Sequence, residues 1–221
     1  MTGLLDLDLG IKLPGTEGGL TVSAVILAAG RSSRMGGEAK LLLDAGGMPM
    51  IRRTVRNALA VAPVETVVVT GHGAEAIEAA LAGLPVRFVR NPRHEEGQPT
   101  SVAVGVGALR DFAAAVIVML GDQPLVTPAD LDALIAAYRS LERGSILVPH
   151  HKGRRGNPIV FAARHIPAVV SGGVNIGCRK LIETHGEDVA RVEFDSDAFV
   201  LDCDTPEDYQ HLRARFAAGV E

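Results

Sequence analysis

Short, unbroken apolar runs alternate along the chain with longer stretches in which apolar residues recur every three or four positions. The runs are rich in Val, Ile and Ala, which is typical of strands buried on both faces of a parallel sheet. Strands that alternate with helices along the chain indicate βαβ units. The pattern predicts strands near 23–27, 65–70, 86–89 and 115–120 and helices near 48–61, 74–82, 99–109 and 128–141.

The pattern changes in the last third of the chain. Apolar runs near 146–149 and 159–161 are separated by the polar loop 150–157, which is too short for a crossover helix, so antiparallel pairing is expected. Strands near 189–194 and 199–201 and a helix near 206–217 follow. We therefore predict an α/β fold, a Rossmann-like three-layer sandwich with a mostly parallel mixed sheet.

Composition narrows the possible functions. The 221 residues are 47% hydrophobic, which suits one large domain; residues 1–20 predict a flexible extension and residues 21–221 a single domain. A net charge of −4 and 4% aromatic residues argue against duplex DNA or single-stranded nucleic acid as partners. Two cysteines indicate no zinc site or disulfide framework. No run approaches the roughly 18 apolar residues of a membrane helix, so we expect a cytoplasmic protein without membrane partners.

A glycine-rich loop joins the first predicted strand to the first helix. Gly30 frees the backbone to curve closely around a ligand, and Arg31, Arg34 and Lys40 add positive charge. The ligand that best suits such a positively charged loop is a polyphosphate. The spacing matches neither GxxxxGK[ST] nor GxGxxG, however, and many glycine-rich loops bind nothing.

The string LAAGRSSRMG and the later Lys40 resemble the opening loop LAAGxSxRMG…K of the molybdenum-cofactor nucleotidyltransferases. The resemblance to this family extends over about residues 22–212. In that family the loop wraps the base and triphosphate of an NTP, on a nucleotide-diphospho-sugar transferase-like fold. Ala29, in LAAG instead of LAGG, indicates CTP ahead of GTP. The resemblance implies nucleotide contacts from Leu27, Ala28, Ala29, Gly30, Arg31, Arg34 and Lys40.

Gly121 and Asp122 directly follow the predicted strand 115–120, at the sheet edge where open α/β folds bind ligands. Gly-Asp-Gln-Pro is also ordinary turn chemistry. Beside a cationic polyphosphate loop, a lone carboxylate suggests a Mg²⁺ ligand, because Mg²⁺ takes one or two protein carboxylates and fills its shell with phosphates and water. GDQP is also the form of this motif in the cytidylyltransferase members of the family, which implies that Gly121 contacts the nucleotide.

A second carboxylate lies near the C-terminus, in the string LDCDTPEDY. Thr205 and Asp208 have the spacing of a capping box, which explains much of the string without a ligand. The string is also similar to the family signature DxDTPEDY. That resemblance implies Asp204 as the second metal ligand and leaves Asp202 as the alternative.

Two further loops match the family. Segment 91–101 resembles its N…G…S segment, which implies base and ribose contacts from Asn91, Gly97 and Ser101, although Ser101 is equally a helix-start residue. The basic loop 150–158 resembles G-x-x-G-[HN]-P-[VI]-x-F, where the family receives its second substrate; guanidinium groups there suit a phosphate. Many relatives carry GDxGAR where this chain has VNIGCR, so the acceptor form stays open. The implied acceptor contacts are Arg154, Arg155, Asn157, Pro158 and Asn175.

Together these features predict Mg²⁺-dependent transfer of CMP from CTP to molybdopterin with release of pyrophosphate, and Lys40, Arg34 and Asp122 are the predicted catalytic residues. One alternative is a nucleotidyltransferase that uses GTP or another acceptor, such as a sugar or polyol phosphate. Another is a non-catalytic protein that carries the cofactor to a molybdoenzyme. The resemblance implies a client enzyme of the xanthine dehydrogenase type.

Overall fold

The computed structural model describes residues 20–30, 39–110, 113–171 and 178–219. The predicted flexible extension, apart from residue 20, lies outside these ranges, as do Arg31, Arg34 and Asn175. Within the described ranges, no helix is long and apolar enough to cross a membrane.

The sheet is mixed and mostly parallel in its first half. Its strands are β1 (Val22–Ala28), β2 (Glu65–Thr70), β3 (Arg87–Arg90), β4 (Ala115–Leu120), β5 (Ile146–His151), β6 (Arg154–Arg155), β7 (Ile159–Ala162) and β8 (Val189–Glu193). The order across the described sheet is β3-β2-β1-β4-β7-β5-β6, with β8 paired to β5. β1 pairs in parallel with β2 and β4, and β7 runs antiparallel to β4 and β5. The predicted fold class is confirmed.

Helices cover both faces of this sheet. They are α1 (Met50–Ala60), α2 (Ala74–Ala80), α3 (Gln98–Gly107), α4 (Pro128–Arg139), α5 (Ile166–Ser171), α6 (Cys178–Thr184) and α7 (Pro206–Ala217). Residues of α1, α2, α4 and α7 share one hydrophobic core with Ala24 and Ile26 of β1. Residues of α3, α5 and α6 share a second hydrophobic core, on the opposite face of the sheet, with Val25 and Leu27 of β1. Alternate residues of one apolar strand thus serve two cores, as a three-layer sandwich requires.

Two of the helix starts follow directly from local sequence. Thr127 accepts a hydrogen bond from the backbone N–H of Asp130, whose carboxylate accepts one from the Thr127 N–H. Thr205 and Asp208 form the same reciprocal pair at the start of α7. Each pair is a capping box that satisfies two otherwise unpaired N–H groups, and each is followed by a proline that suits the first helical turn.

The predicted strand at 199–201 is wrong, because this segment belongs to a 3₁₀ helix, Asp197–Val200. The Phe199 carbonyl accepts hydrogen bonds from the backbone of Asn157 and from Nε2 of Gln123, so its partners lie in two loops and not in a neighbouring strand. The predicted loop 150–157 also differs, since β5 continues to His151 and β6 pairs back onto it. Helices α5 and α6 have six and seven residues, too short to show a helical period.

Gly105 allows α3 to lie close to the centre of the sheet. A Cβ there would stand 2.6 Å from Cγ2 of Val69 and nearer still to Cγ1 of Val25, both buried in central strands. Overpacking of a core costs about 1–3 kcal/mol, and alanine in place of a helical glycine recovers up to about 1 kcal/mol, so we expect Gly105→Ala to lower the free energy of unfolding by about 1–2 kcal/mol. Urea denaturation measures it.

Gly107→Ala is the matched control, two residues further along the same helix. Its Cβ would meet Cγ2 of Val170 at 3.4 Å, an ordinary contact, so we expect no loss of stability. Equal stability of the wild type and Gly105→Ala would contradict the close packing of α3 on the sheet.

Candidate active site

Asp122 stands at the carboxyl edge of the sheet, where the parallel strands β1 to β4 end together. The preceding Gly121 donates its N–H to the carbonyl of Leu27 at 2.9 Å, and Thr54 of α1 donates its hydroxyl to the Gly121 carbonyl at 3.1 Å. A Cβ at Gly121 would stand 2.8 Å from the Leu27 oxygen and 2.9 Å from Cδ1 of Ile51. The absence of a side chain there lets the Asp122 loop lie directly against β1.

Lys40 joins two carboxylates from distant parts of the chain. Its Nζ donates to Oδ2 of Asp122 at 2.7 Å and to Oδ1 of Asp204 at 2.8 Å. The side chain of Lys40 is 12% exposed, that of Asp122 14% and that of Asp204 36%. Burial opposes the charge on Lys40, but the two carboxylates outweigh it and raise the pKa of the ammonium. The amine therefore stays charged at neutral pH.

Asp202 adds a third carboxyl group near this cluster. Burial raises the pKa of its carboxyl group, and the nearby carboxylates of Asp122 and Asp204 raise it further. The backbone N–H of Cys203, between the two acids, donates to the Asp122 carbonyl at 3.3 Å, which fixes this segment against the end of β4. One ammonium thus faces more than one carboxylate, and the cluster attracts cations.

The residues fit a divalent cation that is shared with a phosphate ligand. The two oxygens bound to Lys40 lie within 2.8 Å of one nitrogen, so they are at most about 5.5 Å apart. Octahedral Mg²⁺, with ligands at about 2.1 Å, separates two oxygens by about 3 to 4 Å, which small side-chain adjustments reach. Within the described residues, no group of three or more His, Cys, Asp or Glu forms a complete metal site. Two protein carboxylates would leave the other ligand positions to water and phosphate.

A cavity of about 220 Å³ opens beside the Lys40 cluster; we call it the first cavity. Six predicted site residues lie in its wall. Four further residues line the cavity although the sequence assigned them no role: Leu41, His94, Gln98 and Leu120. His94 and Gln98 could have been predicted to line a ligand site, because they belong to the segment that follows β3 at the carboxyl edge of the sheet. The wall consists of Leu27, Ala29, Gly30, Lys40, Leu41, His94, Gln98, Ser101, Leu120 and Asp122.

Asn91 lies behind this wall and not in it. It is fully buried, and its Nδ2 donates to the hydroxyls of Thr100 and Ser101 at 2.8 and 2.9 Å, while Oδ1 accepts the Arg93 N–H at 2.9 Å. These bonds fix the loop that presents Ser101. Gly97, in the same loop, has a φ of 108°. It lines neither the first cavity nor the second cavity, which is described below. The predicted nucleotide contacts of Asn91 and Gly97 therefore stay predictions.

A second cavity of about 280 Å³ adjoins the first. Arg155 and Asn157, two of the predicted acceptor contacts, line it, and Arg179 adds a second guanidinium group. Burial lowers the pKa of Arg155, although a guanidinium remains charged at neutral pH. The remaining wall is mostly apolar. The lining is Leu27, Gln98, Pro99, Val102, Val118, Leu120, Arg155, Asn157, Cys178 and Arg179.

The other predicted residues lie around these cavities. Arg154 donates to the carbonyl of Val200 at 3.3 Å and is absent from the wall of the second cavity, as is the buried Pro158. Ala28 and Gly121 belong to the packing beneath the first cavity. The structure therefore brings Asp204 to Lys40, which lines the first cavity with Asp122, and places Arg155 and Asn157 at the second cavity.

Comparison with known sequences gives one family and several curated relatives. The MobA-like NTP transferase domain matches residues 24–189. The bifunctional protein GlmU of Anaeromyxobacter dehalogenans is 36% identical over 157 residues, 66% of this chain and 31% of that protein. GlmU of Thermus thermophilus is 40% identical over 116 residues, 52% of this chain and 25% of that protein. The matches span about a quarter to a third of these relatives.

Solved structures give the same fold over nearly the whole chain. A nucleotidyl transferase from Methanothermobacter thermautotrophicus has a TM-score of 0.76 and 29% identity, covering 90% of this chain and 99% of that one. The Rv0371c protein of Mycobacterium tuberculosis, solved with manganese, has a TM-score of 0.73 and 26% identity and covers 87% and 97% of the two chains. A CMP:2-keto-3-deoxy-manno-octonic acid synthetase solved with CTP, at 18% identity and a TM-score of 0.71, shares the fold.

Proposed function

The chain belongs to the MobA-like NTP transferase family, and we propose that it transfers CMP from CTP to the phosphate of molybdopterin, with release of pyrophosphate. The observation that carries this proposal is the pair of adjoining cavities at one edge of the sheet. Lys40 and Asp122 line the first cavity, with Asp204 bonded to Lys40 beside it, and two guanidinium groups line the second. A transferase that joins two anionic substrates needs such a pair of neighbouring sites.

The first cavity is the proposed nucleotide site. Among the described residues, none has an atom within 4 Å of a Cβ added at Gly30, so the backbone there is accessible to a ligand from that side, and Lys40 brings a partly buried positive charge. Arg31 and Arg34, which follow Gly30 in the sequence and lie outside the described residues, are the further nucleotide contacts that we propose. Ala29 lines the cavity, and its presence in the LAAG string supports cytidine as the base.

Asp122 and Asp204 would hold Mg²⁺ against the phosphates of the nucleotide. Mg²⁺ supplies neutralisation of phosphate charge and polarisation of the reacting phosphoryl group. The Mycobacterium tuberculosis protein of the same fold was solved in complex with manganese, which supports the use of a divalent cation. Asp204, which shares Lys40 with Asp122, is a better candidate than Asp202 for the second ligand.

The reaction needs no covalent intermediate on the protein. The acceptor phosphate is already an anionic nucleophile, so the protein must reduce repulsion, align the acceptor with the α-phosphorus and stabilise the departing pyrophosphate. Lys40 would transfer its hydrogen bonds from the two carboxylates to the phosphates. Arg155 would hold the acceptor phosphate, because a guanidinium group matches phosphate with two parallel hydrogen bonds.

The second cavity limits the chemistry of the acceptor. Val102, Val118 and Leu120 give it an apolar wall opposite Arg155 and Arg179. An acceptor with a phosphate at one end and a flat heterocycle, whose faces can pack against apolar side chains, would use both kinds of surface, and molybdopterin is the proposed acceptor of this kind. Sugar or polyol phosphates, which carry many hydroxyls, would leave the apolar wall poorly used.

Thermal unfolding with CTP, GTP, ATP or UTP, each with and without Mg²⁺, tests the nucleotide site. A ligand at 100 times its Kd stabilises by about 2.7 kcal/mol, and we expect a Mg²⁺-dependent shift with CTP. A shift with GTP and not with CTP would support the same nucleotide site but would assign GTP as the nucleotide substrate. No shift with any nucleotide would overturn the proposal.

Pyrophosphate release then tests the acceptor. With CTP and Mg²⁺, we expect release when molybdopterin is added and none with sugar or polyol phosphates. Release with a sugar or polyol phosphate alone would assign a different acceptor. Binding of CTP and molybdopterin without any release would favour a carrier protein over an enzyme.

A further inference from the structure

The two cavities share part of their walls. Leu27, Gln98 and Leu120 line both of them, and Gln98 is the polar residue among these three. If the nucleotide occupies one cavity and the acceptor the other, the bond between them must form where the cavities meet. The carboxamide of Gln98 then lies beside the reacting atoms.

We propose that Gln98 is a catalytic residue of the transfer and donates a hydrogen bond from Nε2 to a non-bridging oxygen of the α-phosphoryl group. This inference rests on the proposed function, since it needs a nucleotide in one cavity and an anionic acceptor in the other. Charge on the phosphoryl oxygens is redistributed in the transition state, and a donor already in place stabilises it without reorganisation.

The local structure fixes the backbone that carries Gln98. It is the first residue of α3, after Gly97 with its φ of 108°, and Thr100 fixes the turn by donating its hydroxyl to the carbonyls of Gly97 and Arg93 at 2.8 and 3.0 Å. Asn91 holds Thr100 in turn. Gln98 is exposed, and no hydrogen bond within the described part of the chain uses its carboxamide. The amide groups are therefore available to a ligand.

The step transfers no proton to the protein. An oxygen of the acceptor phosphate attacks the α-phosphorus and a new P–O bond forms. The bond from the α-phosphorus to the bridging oxygen breaks, and pyrophosphate leaves with the electron pair. Gln98 donates one N–H throughout. A neutral donor suits this position, because a carboxylate there would repel both substrates.

The test compares Gln98→Met and Gln98→Glu with the wild type by steady-state pyrophosphate release. Methionine keeps the length of the side chain and removes the donor. We expect kcat to fall about 100-fold, the low end for losing one such donor, with the KM for the nucleotide within about threefold of the wild type. Gln98→Glu should lower kcat further. Gln210→Met, at an exposed position of α7 outside both cavities, is the matched control and should keep full activity.

Calorimetric titration of CTP and Mg²⁺ separates the two proposals. If wild-type protein binds no nucleotide, the proposed function fails. If it binds CTP and turns over, and Gln98→Met keeps its kcat, only the role of Gln98 is overturned. A rise in the KM of the acceptor with unchanged kcat would also overturn it, because such a residue binds substrate without acting on the reacting atoms.

Discussion

Asp122→Ala is expected to abolish nucleotidyl transfer while leaving the fold intact. Asp122 comes from the rigid end of β4, and its loop is tied to β1 and α1 by the Gly121 backbone. Without this carboxylate the proposed Mg²⁺ loses its best-fixed protein ligand, which corresponds to several kcal/mol of transition-state stabilisation and a fall in kcat of about 10³-fold or more. Pyrophosphate release measures the loss, and circular dichroism measures the fold.

Asp132→Ala, at an exposed position on α4, is the matched control and should retain full activity. Asp122→Asn keeps the shape of the side chain and removes its charge, so it should lose nearly as much activity as alanine. Near-wild-type turnover in either Asp122 variant would show that the metal assignment is wrong.

Lys40→Met should have two opposite effects. Turnover should fall about 10³-fold, because the triphosphate loses a positioned donor where charge develops. Binding of Mn²⁺ in the absence of nucleotide should become tighter, because Asp122 and Asp204 no longer share an ammonium at 2.7 and 2.8 Å. Electron paramagnetic resonance of free Mn²⁺ measures the second effect.

Lys180→Met, on α6 and outside both cavities, is the matched control and should change neither property. Weaker Mn²⁺ binding by Lys40→Met would mean that Lys40 holds the two carboxylates in place for the metal instead of competing with it. Wild-type turnover would remove Lys40 from the mechanism.

Local sequence patterns predicted most of the longer strands and helices and the edge of the sheet at which the candidate site lies. The predicted strand at 115–120 is β4 to the residue, because an unbroken apolar run needs burial on both faces. The starts of α4 and α7 followed from Thr-Pro pairs and an acid three residues after the threonine, since capping bonds involve near neighbours only. Asp122 was placed at the ligand-binding edge by its position directly after a parallel strand.

Tertiary structure alone decided which side chains meet. Lys40 and Asp204 are 164 residues apart, and their contact depends on the order of strands in the sheet and on how the C-terminal segment returns to β4. The same is true of Gln98, whose place between two cavities follows from the packing of α3 against β1 and β2. Residues 199–201 look like a strand by composition, yet their carbonyl partners lie in distant loops. Helical period, strand period and capping are properties of near neighbours, whereas a shared cavity wall is a property of the whole packed sheet.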